Sequence, residues 1–428
     1  MMRALIILMV MLLPARLLLA QTYADVQPVF AARCVGCHHT GGSAPFSLAT
    51  YEEVKRRTSF IKEVINTGYM PPFKADVHYR DYANNRILSP EEKQSILNWI
   101  GANAPKGKAT ITPKLAAADT TAPNLILKAE KAYTVKGDNQ ERFVVFKVPF
   151  ELKDTANIER LELYTNNKKV IHHINYGFYA VPDAGKDIHI TPSLVEADID
   201  TAGLEVKRYG PLKQSMVYYS GWIPGTTEEF YPKQFGWVLP RRGVVLFTVH
   251  YAAIAADEES TVGVKLYYKK GPVQRKVQII SLGSGGVAER DIQPRFVLFS
   301  NQVSTYTLKV KTPEAQSIMY VWPHMHLLGK EFRAYAVTPE RDTIPLVHIP
   351  AWDFRWQELY RMQHLVKIPA GSVIHMVGTY DNTADNPVNP NHPPKLVMSS
   401  GDMRANEEMF TLMMIYVPYE EGDEKIGL

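Results

Sequence analysis

Cys34-Val35-Gly36-Cys37-His38 is the run of adjacent residues whose types and spacing dictate a particular chemistry. Two thiols separated by two residues can each form a thioether to a vinyl group of one haem. The histidine that follows becomes the proximal ligand of the iron. A zinc knuckle would need further Cys or His partners at short spacing, and here only His39 is close. The spacing therefore predicts one covalent c-type haem on Cys34, Cys37 and His38. The chain has 2 cysteines in all, so thioether formation leaves none for a structural disulfide, and stability must come from packed cores.

A second set of candidates is spread through the rest of the chain. Among 13 histidines, three placements stand out: His172-His173, His250 at the end of the apolar run Val244–Val249, and His324-Met325-His326 after Met319–Trp322. Side chains at i and i+2 of a strand share a face, so His324 and His326 can address one metal ion. Adjacent His172 and His173 point to opposite faces of a regular strand. They can share a metal only at a strand end or at a bulge that re-aims one of them. Imidazole suits copper, zinc, iron and nickel alike, so spacing does not name the metal.

The elements that must position these residues fall into two kinds. From about Thr22 to Gly107 the pattern is helical. Val26, Val29 and Phe30 precede the CxxCH at helical spacing, and a second helix runs from about Tyr51 to near Gly68. A third starts at Ser89-Pro90-Glu91-Glu92, with a serine N-cap and proline at the first helical position. Beyond a linker at 108–122, segments such as Arg142–Phe150, Val170–Val181, Gly243–Ala253, Ser317–Trp322 and Ser372–Tyr380 are rich in Val, Ile, Tyr, Phe and Thr. They are separated by Pro, Gly, Asn and Asp turns. The predicted fold is multidomain. An N-terminal all-α haem domain (21–107) is followed by two all-β antiparallel, jelly-roll-like sandwiches (123–272 and 273–428), divided near Gly271-Pro272.

Ahead of these lies Met1-Met2-Arg3, then an apolar run from Ala4 to Leu13 and Leu17-Leu18-Leu19-Ala20. This reads as a secretory signal cut after Ala20, with Arg16 arguing against an uncleaved anchor. The expected location is the periplasm, with no stable membrane insertion after cleavage. A formal charge of +4 without basic runs interleaved with aromatics gives no reason to expect nucleic acid as a partner.

Several of these stations resemble known families. Tyr69-Met70-Pro71-Pro72 resembles the Met-Pro loop of monohaem class I cytochromes c. That likeness implies Met70 as the distal haem ligand, with His78 on the following loop as the rival donor. Pro323-His324-Met325-His326-Leu327-Leu328-Gly329-Lys330 closely resembles the HxHxxGK segment of the ascorbate-dependent copper type II monooxygenases, the family of the peptidylglycine α-hydroxylating and dopamine β-monooxygenases. Asn406-Glu407-Glu408-Met409 looks like that family's Asp-Glu-Met motif leading into its last strand. HH, H, HxH and Met follow in the family's order over 123–428, at gaps of about seventy to eighty residues.

The resemblance implies two coppers, one held by His172, His173 and His250 and the other by His324, His326 and Met409, with Met403 as the nearby wrong choice. It also implies C–H hydroxylation of a small molecule by O2, at a catalytic site formed by His324, His326 and Met409. Departures are informative. The peptidylglycine enzymes place an arginine two residues before the HxH and a tyrosine four after the methionine ligand; here Trp322 and Met413 stand there. A peptide carboxylate loses its charged partner, which argues against amidation. The preceding haem points to electrons relayed from a periplasmic redox protein or a small reductant through the haem to copper. Loss of the substrate-holding residues also fits a non-enzymatic periplasmic electron-transfer or copper-binding protein.

Overall fold

The computed structural model describes residues 21–107, 121–213, 215–226, 229–232, 234–399 and 407–428. The expected signal (1–20), most of the expected linker, Met403 and Asn406 lie outside them. No helix of the described residues is long and apolar enough to cross a membrane.

The expectation of an all-α N-terminal domain is overturned. The protein is mostly β, about 40% strand and 15% helix, with five short α-helices among the described residues. Four of these precede the strands: α1 Tyr23–Arg33, α2 Tyr51–Lys55, α3 Thr58–Asn66 and α4 Pro90–Gly101, of 11, 5, 9 and 12 residues. Their starts follow local chemistry. Thr50 and Ser89 each accept the N–H three residues on, while Glu53 and Glu92 reach back to the cap, satisfying donors a helix start leaves open. Val26, Phe30, Val54, Ile61, Ile96 and Trp99 form a small apolar cluster between these helices.

The physical reason for the correction lies in residues 71–88. Phe73, Ala75 and Tyr82 are buried in the core of a β-unit rather than among the helices. The Asp76 N–H donates to the His348 carbonyl, and the Tyr82 hydroxyl donates to the Leu346 carbonyl. Apolar spacing within this segment gave no sign that its partner lay far along the chain.

The first β-unit pairs two sheets. One runs Leu125–Lys128, Val262–Tyr268, Ala156–Thr165, Phe235–Leu239, Arg275–Lys276, with Glu229–Phe230 off its side. The other runs Leu194–Glu196, Arg142–Glu151, Arg242–Tyr251, Ile171–Ala180, Met216–Trp222. Leu161, Leu163 and Val264 of the first sheet share a core with Phe146, Val245 and Phe247 of the second. The second unit has two four-stranded sheets, Gln278–Gly283, Thr411–Pro418, Gln316–His324, Tyr360–Ile368 and Gln302–Lys311, Val373–Asn382, Gly329–Val337, Thr343–Ile349. Met319, Tyr320, Trp322, Ile415 and Val417 of its first sheet extend the first unit's core. The two units therefore join through continuous apolar packing, and both histidine sets lie where they meet.

Candidate metal centres

His172 and His173 open the strand Ile171–Ala180 beside Arg242–Tyr251. The register pairs His250 with His173 and then Tyr251 with Ile171, so His172 is the extra residue of a β-bulge. A bulge turns one side chain out of the alternation, which adjacent ligands require. The donor nitrogens of His172, His173 and His250 all lie within 4.8 Å of one another. His172 Nδ1 faces His250 Nδ1 at 3.0 Å, and His250 Nε2–H donates to the half-exposed Glu141 carboxylate at 3.0 Å. The His173 Nδ1 is buried without a hydrogen-bond partner. Burial, and then His250, lower His172 to about 4; burial and the neighbouring imidazoles, His324 and His326 included, depress His173 well below its ordinary range. Two buried rings disfavoured as cations, facing nitrogens on His172 and His250, and one orphaned buried nitrogen are what an imidazole-bound cation fits.

His324 ends its strand, opposite Thr411, while His326 lies in the loop beyond it. The expected shared strand face is therefore absent, and the two rings meet through a loop instead. Their Nε2 atoms face each other at 3.2 Å. His324 Nδ1–H donates to Gln357 Oε1, and His326 Nδ1–H donates to the Glu407 carbonyl at 2.8 Å. The Gln357 amide orientation is fixed because its Nε2 donates to the Phe354 carbonyl. With both Nδ1 atoms acting as donors, two Nε2 lone pairs converge, an arrangement relieved by a shared proton or a cation. Burial and then His326 lower His324 to about 3, against the Gln357 hydrogen bond that raises it. Met409 is buried and lines the same cleft as His324, a cavity of about 320 Å³ between the two units.

Sequence reasoning missed the groups that hold this loop. Glu408 is wholly buried. Its carboxylate accepts the N–H groups of His326 at 2.9 Å, Leu328 at 2.6 Å and Met409 at 3.3 Å. Burial pushes it up to about 8 against the pull of those donors. The Phe354 ring lies 5.7 Å from those of His173, His250 and His326 and 6.3 Å from that of His172. A single apolar side chain thus touches both sets. Phe354 and Gln357 sit in an irregular stretch without a motif, and Glu141 precedes its strand by one residue. No local signal marks them.

At the N-terminal site, Cys34 and Cys37 are free thiols. His38 Nδ1–H donates to the Phe46 carbonyl at 3.0 Å, which leaves its Nε2 as the lone pair an iron would need. Cys34 and Met70 pack against the same helical core, whereas His78 is exposed on the segment docked near His348. Cys37 lies against Gly225 of the first β-unit, where an added Cβ would fall 2.9 Å from its Sγ. Arg86 binds the Pro72 carbonyl and forms a buried ion pair with Glu358, the residue after Gln357. The Met70-Pro71-Pro72 loop is thereby tied to the segment that orients His324.

No family model and no curated protein matches the chain. Solved structures that overlap it include the infectious bursal disease virus VP2 subviral particle (10% identity, 74% of this chain and 76% of that one, TM-score 0.19). Another is the PBSX exported protein XepA (10% identity, 65% and 91%, TM-score 0.12). Overlaps this loose identify neither fold nor activity.

Proposed function

We propose that this chain is an exported, haem c-bearing, copper-dependent monooxygenase that hydroxylates a C–H bond of a small molecule with O2. His172, His173 and His250 would hold one copper, and His324, His326 and Met409 the other. Cys34, Cys37 and His38 would carry the haem, with Met70 as its distal ligand. When bound, copper supplies one-electron and O2 chemistry and haem a one-electron store. Placing one oxygen atom in the substrate and the other in water consumes two electrons and two protons, so an external reductant must act repeatedly.

The chain's own part is orientation and exclusion of water. Gln357 and the Glu407 carbonyl keep the His324 and His326 lone pairs turned inward, as Glu141 does for His250. Phe354 fills the space between the sets, and the cleft beside His324 and Met409 gives a substrate access. The observation that carries this reading is convergence: in each set imidazole nitrogens face one another, at 3.0 and 3.2 Å, while His250, His324 and His326 are held through their other ring nitrogen. The order of the motifs along the chain, similar to the copper type II family, adds to it.

Elemental analysis and an optical spectrum of protein matured in a haem c-competent host test the proposal. The expected result is two coppers and one haem per chain, with His324→Ala/His326→Ala losing one copper and keeping the haem spectrum. Zinc, or a single copper at saturation, would overturn it.

A further inference from the structure

Trp322 and Met413 are paired across adjacent strands, and both face the cleft that holds His324 and Met409. Trp322 is built into this wall. Its indole N–H donates to the Gln357 carbonyl at 3.0 Å. Its ring tip rests where a side chain on Gly221 would stand, since a Cβ there would fall 2.4 Å from it. Tyr219 lies 6.1 Å away, ring to ring, and Tyr179, Met216 and Leu246 continue the apolar lining. Gly177 makes room for Tyr179 in the same way, its Cβ position lying 2.7 Å from that ring.

The charged side chains of this cleft are already engaged within the protein. Lys213 is the one lysine or arginine in its described walls, and it is bound to Glu205 at 2.5 Å. Asp200 accepts the N–H groups of Leu204 and Glu205. The hydroxyl of Thr411 donates to the Ser284 carbonyl, and the Ser284 hydroxyl accepts the Phe410 N–H. A carboxylate entering here would meet no unpaired lysine or arginine to replace its water, and desolvating it uncompensated is strongly unfavourable.

A separate observation concerns the mouth. The segment that forms its rim, around the helix Leu204–Tyr209, leaves large apolar side chains in solvent. Ile199 is 69% exposed, Val206 52%, Met216 43% and Leu204 39%. Apolar groups clustered at the entrance of an apolar cleft mark a binding site rather than scattered surface.

From these we infer that the cleft takes an uncharged aromatic molecule, packed against the exposed edge of Trp322 and against Tyr219, with its reacting carbon toward His324 and Met409. This rests on the copper reading for the reaction but not for the binding. Binding needs no metal, so the two can fail separately.

The test is calorimetric titration of the full chain, before and after copper loading, with three probes of one scaffold: 2-(2-naphthyl)ethanol, its amine and its carboxylate counterpart. Quenching of tryptophan fluorescence, absent in Trp322→Phe, locates the site. The alcohol should bind at least tenfold more tightly than either ion. Trp322→Arg should reverse the order of alcohol and carboxylate, and Met413→Lys, on the neighbouring strand, should do the same if the first variant fails to fold. Binding of the carboxylate or the amine as tightly as the alcohol would overturn the inference, as would quenching that survives in Trp322→Phe. Preferential binding of the alcohol by protein that takes up no copper would leave the substrate class standing and sink the oxygenase reading.

Discussion

The two histidine sets solve one problem with different materials. His172, His173 and His250 are placed by the sheet itself, through a bulge whose cross-strand hydrogen bonds fix the backbone on both sides. His324 and His326 sit where a strand gives way to a loop, and buried side chains from elsewhere in the chain hold them: Glu408 under the backbone, Gln357 behind one ring. A sheet-built set should tolerate loss of its outer hydrogen bonds. A loop-built set should not. The difference also matches the proposed chemistry, since the site that must accept O2 and a substrate is the one beside the open cleft.

The largest effect is expected at Glu408. Glu408→Ala leaves the buried N–H groups of His326 and Leu328 without an acceptor, each costing about 1–3 kcal/mol. The loop should shift, one copper per chain should be lost, and denaturant titration should show the destabilisation. Binding by the first set should be unchanged. Retention of both coppers with unaltered stability would show that the loop holds itself.

How much of this was legible in the sequence follows from the distance over which each signal acts. A haem at Cys34 to His38 could be expected from the sequence because the residues that would carry it are consecutive. That His172 and His173 could share a metal only at a strand end or a bulge followed from strand alternation, although the bulge itself is a property of pairing with His250, far along the chain. His324 and His326 were expected together on one strand face, from a strand that in fact ends at His324. What could not be read were residues with no periodicity of their own. Phe354 and Gln357 lie in irregular chain, and their roles exist only once both units have folded. The N-terminal region shows the same limit. Its helices announce themselves through caps, yet Phe73 and Tyr82 belong to a core built from distant strands, the Tyr82 hydroxyl reaching Leu346, 264 positions on. Reading that region as a separate all-α domain followed from the helices and missed the loop.

A smaller effect separates the rings from the backbone that carries them. Gln357→Leu keeps the size of the side chain but removes the acceptor from His324 Nδ1–H, freeing the ring to change tautomer. Loss of such a partner typically weakens metal binding about 10–100-fold. Competition against a copper chelator should show this at one of the two sites only, with the melting temperature little changed. A decline at both sites would mean that the sets are coupled, the Phe354 ring they share being the route to examine.

The smallest effect is expected at Glu141, the counterpart of Gln357 in the sheet-built set. Its carboxylate accepts from His250 Nε2–H, yet its side chain is 50% exposed, so water can take its place. His250 is also held by its strand and by stacking on Phe143, with ring centroids 4.0 Å apart and planes within 12°. Glu141→Ala should therefore weaken copper binding at the first set by less than about tenfold, below the usual range for such partners. Stability should change by no more than about 1 kcal/mol, as for exposed ion pairs. The same chelator competition, run beside Gln357→Leu, gives the ratio that decides the comparison. If Glu141→Ala proves the more damaging of the two, the sheet does not position His250 unaided, and the distinction between the sets fails at the residue meant to demonstrate it.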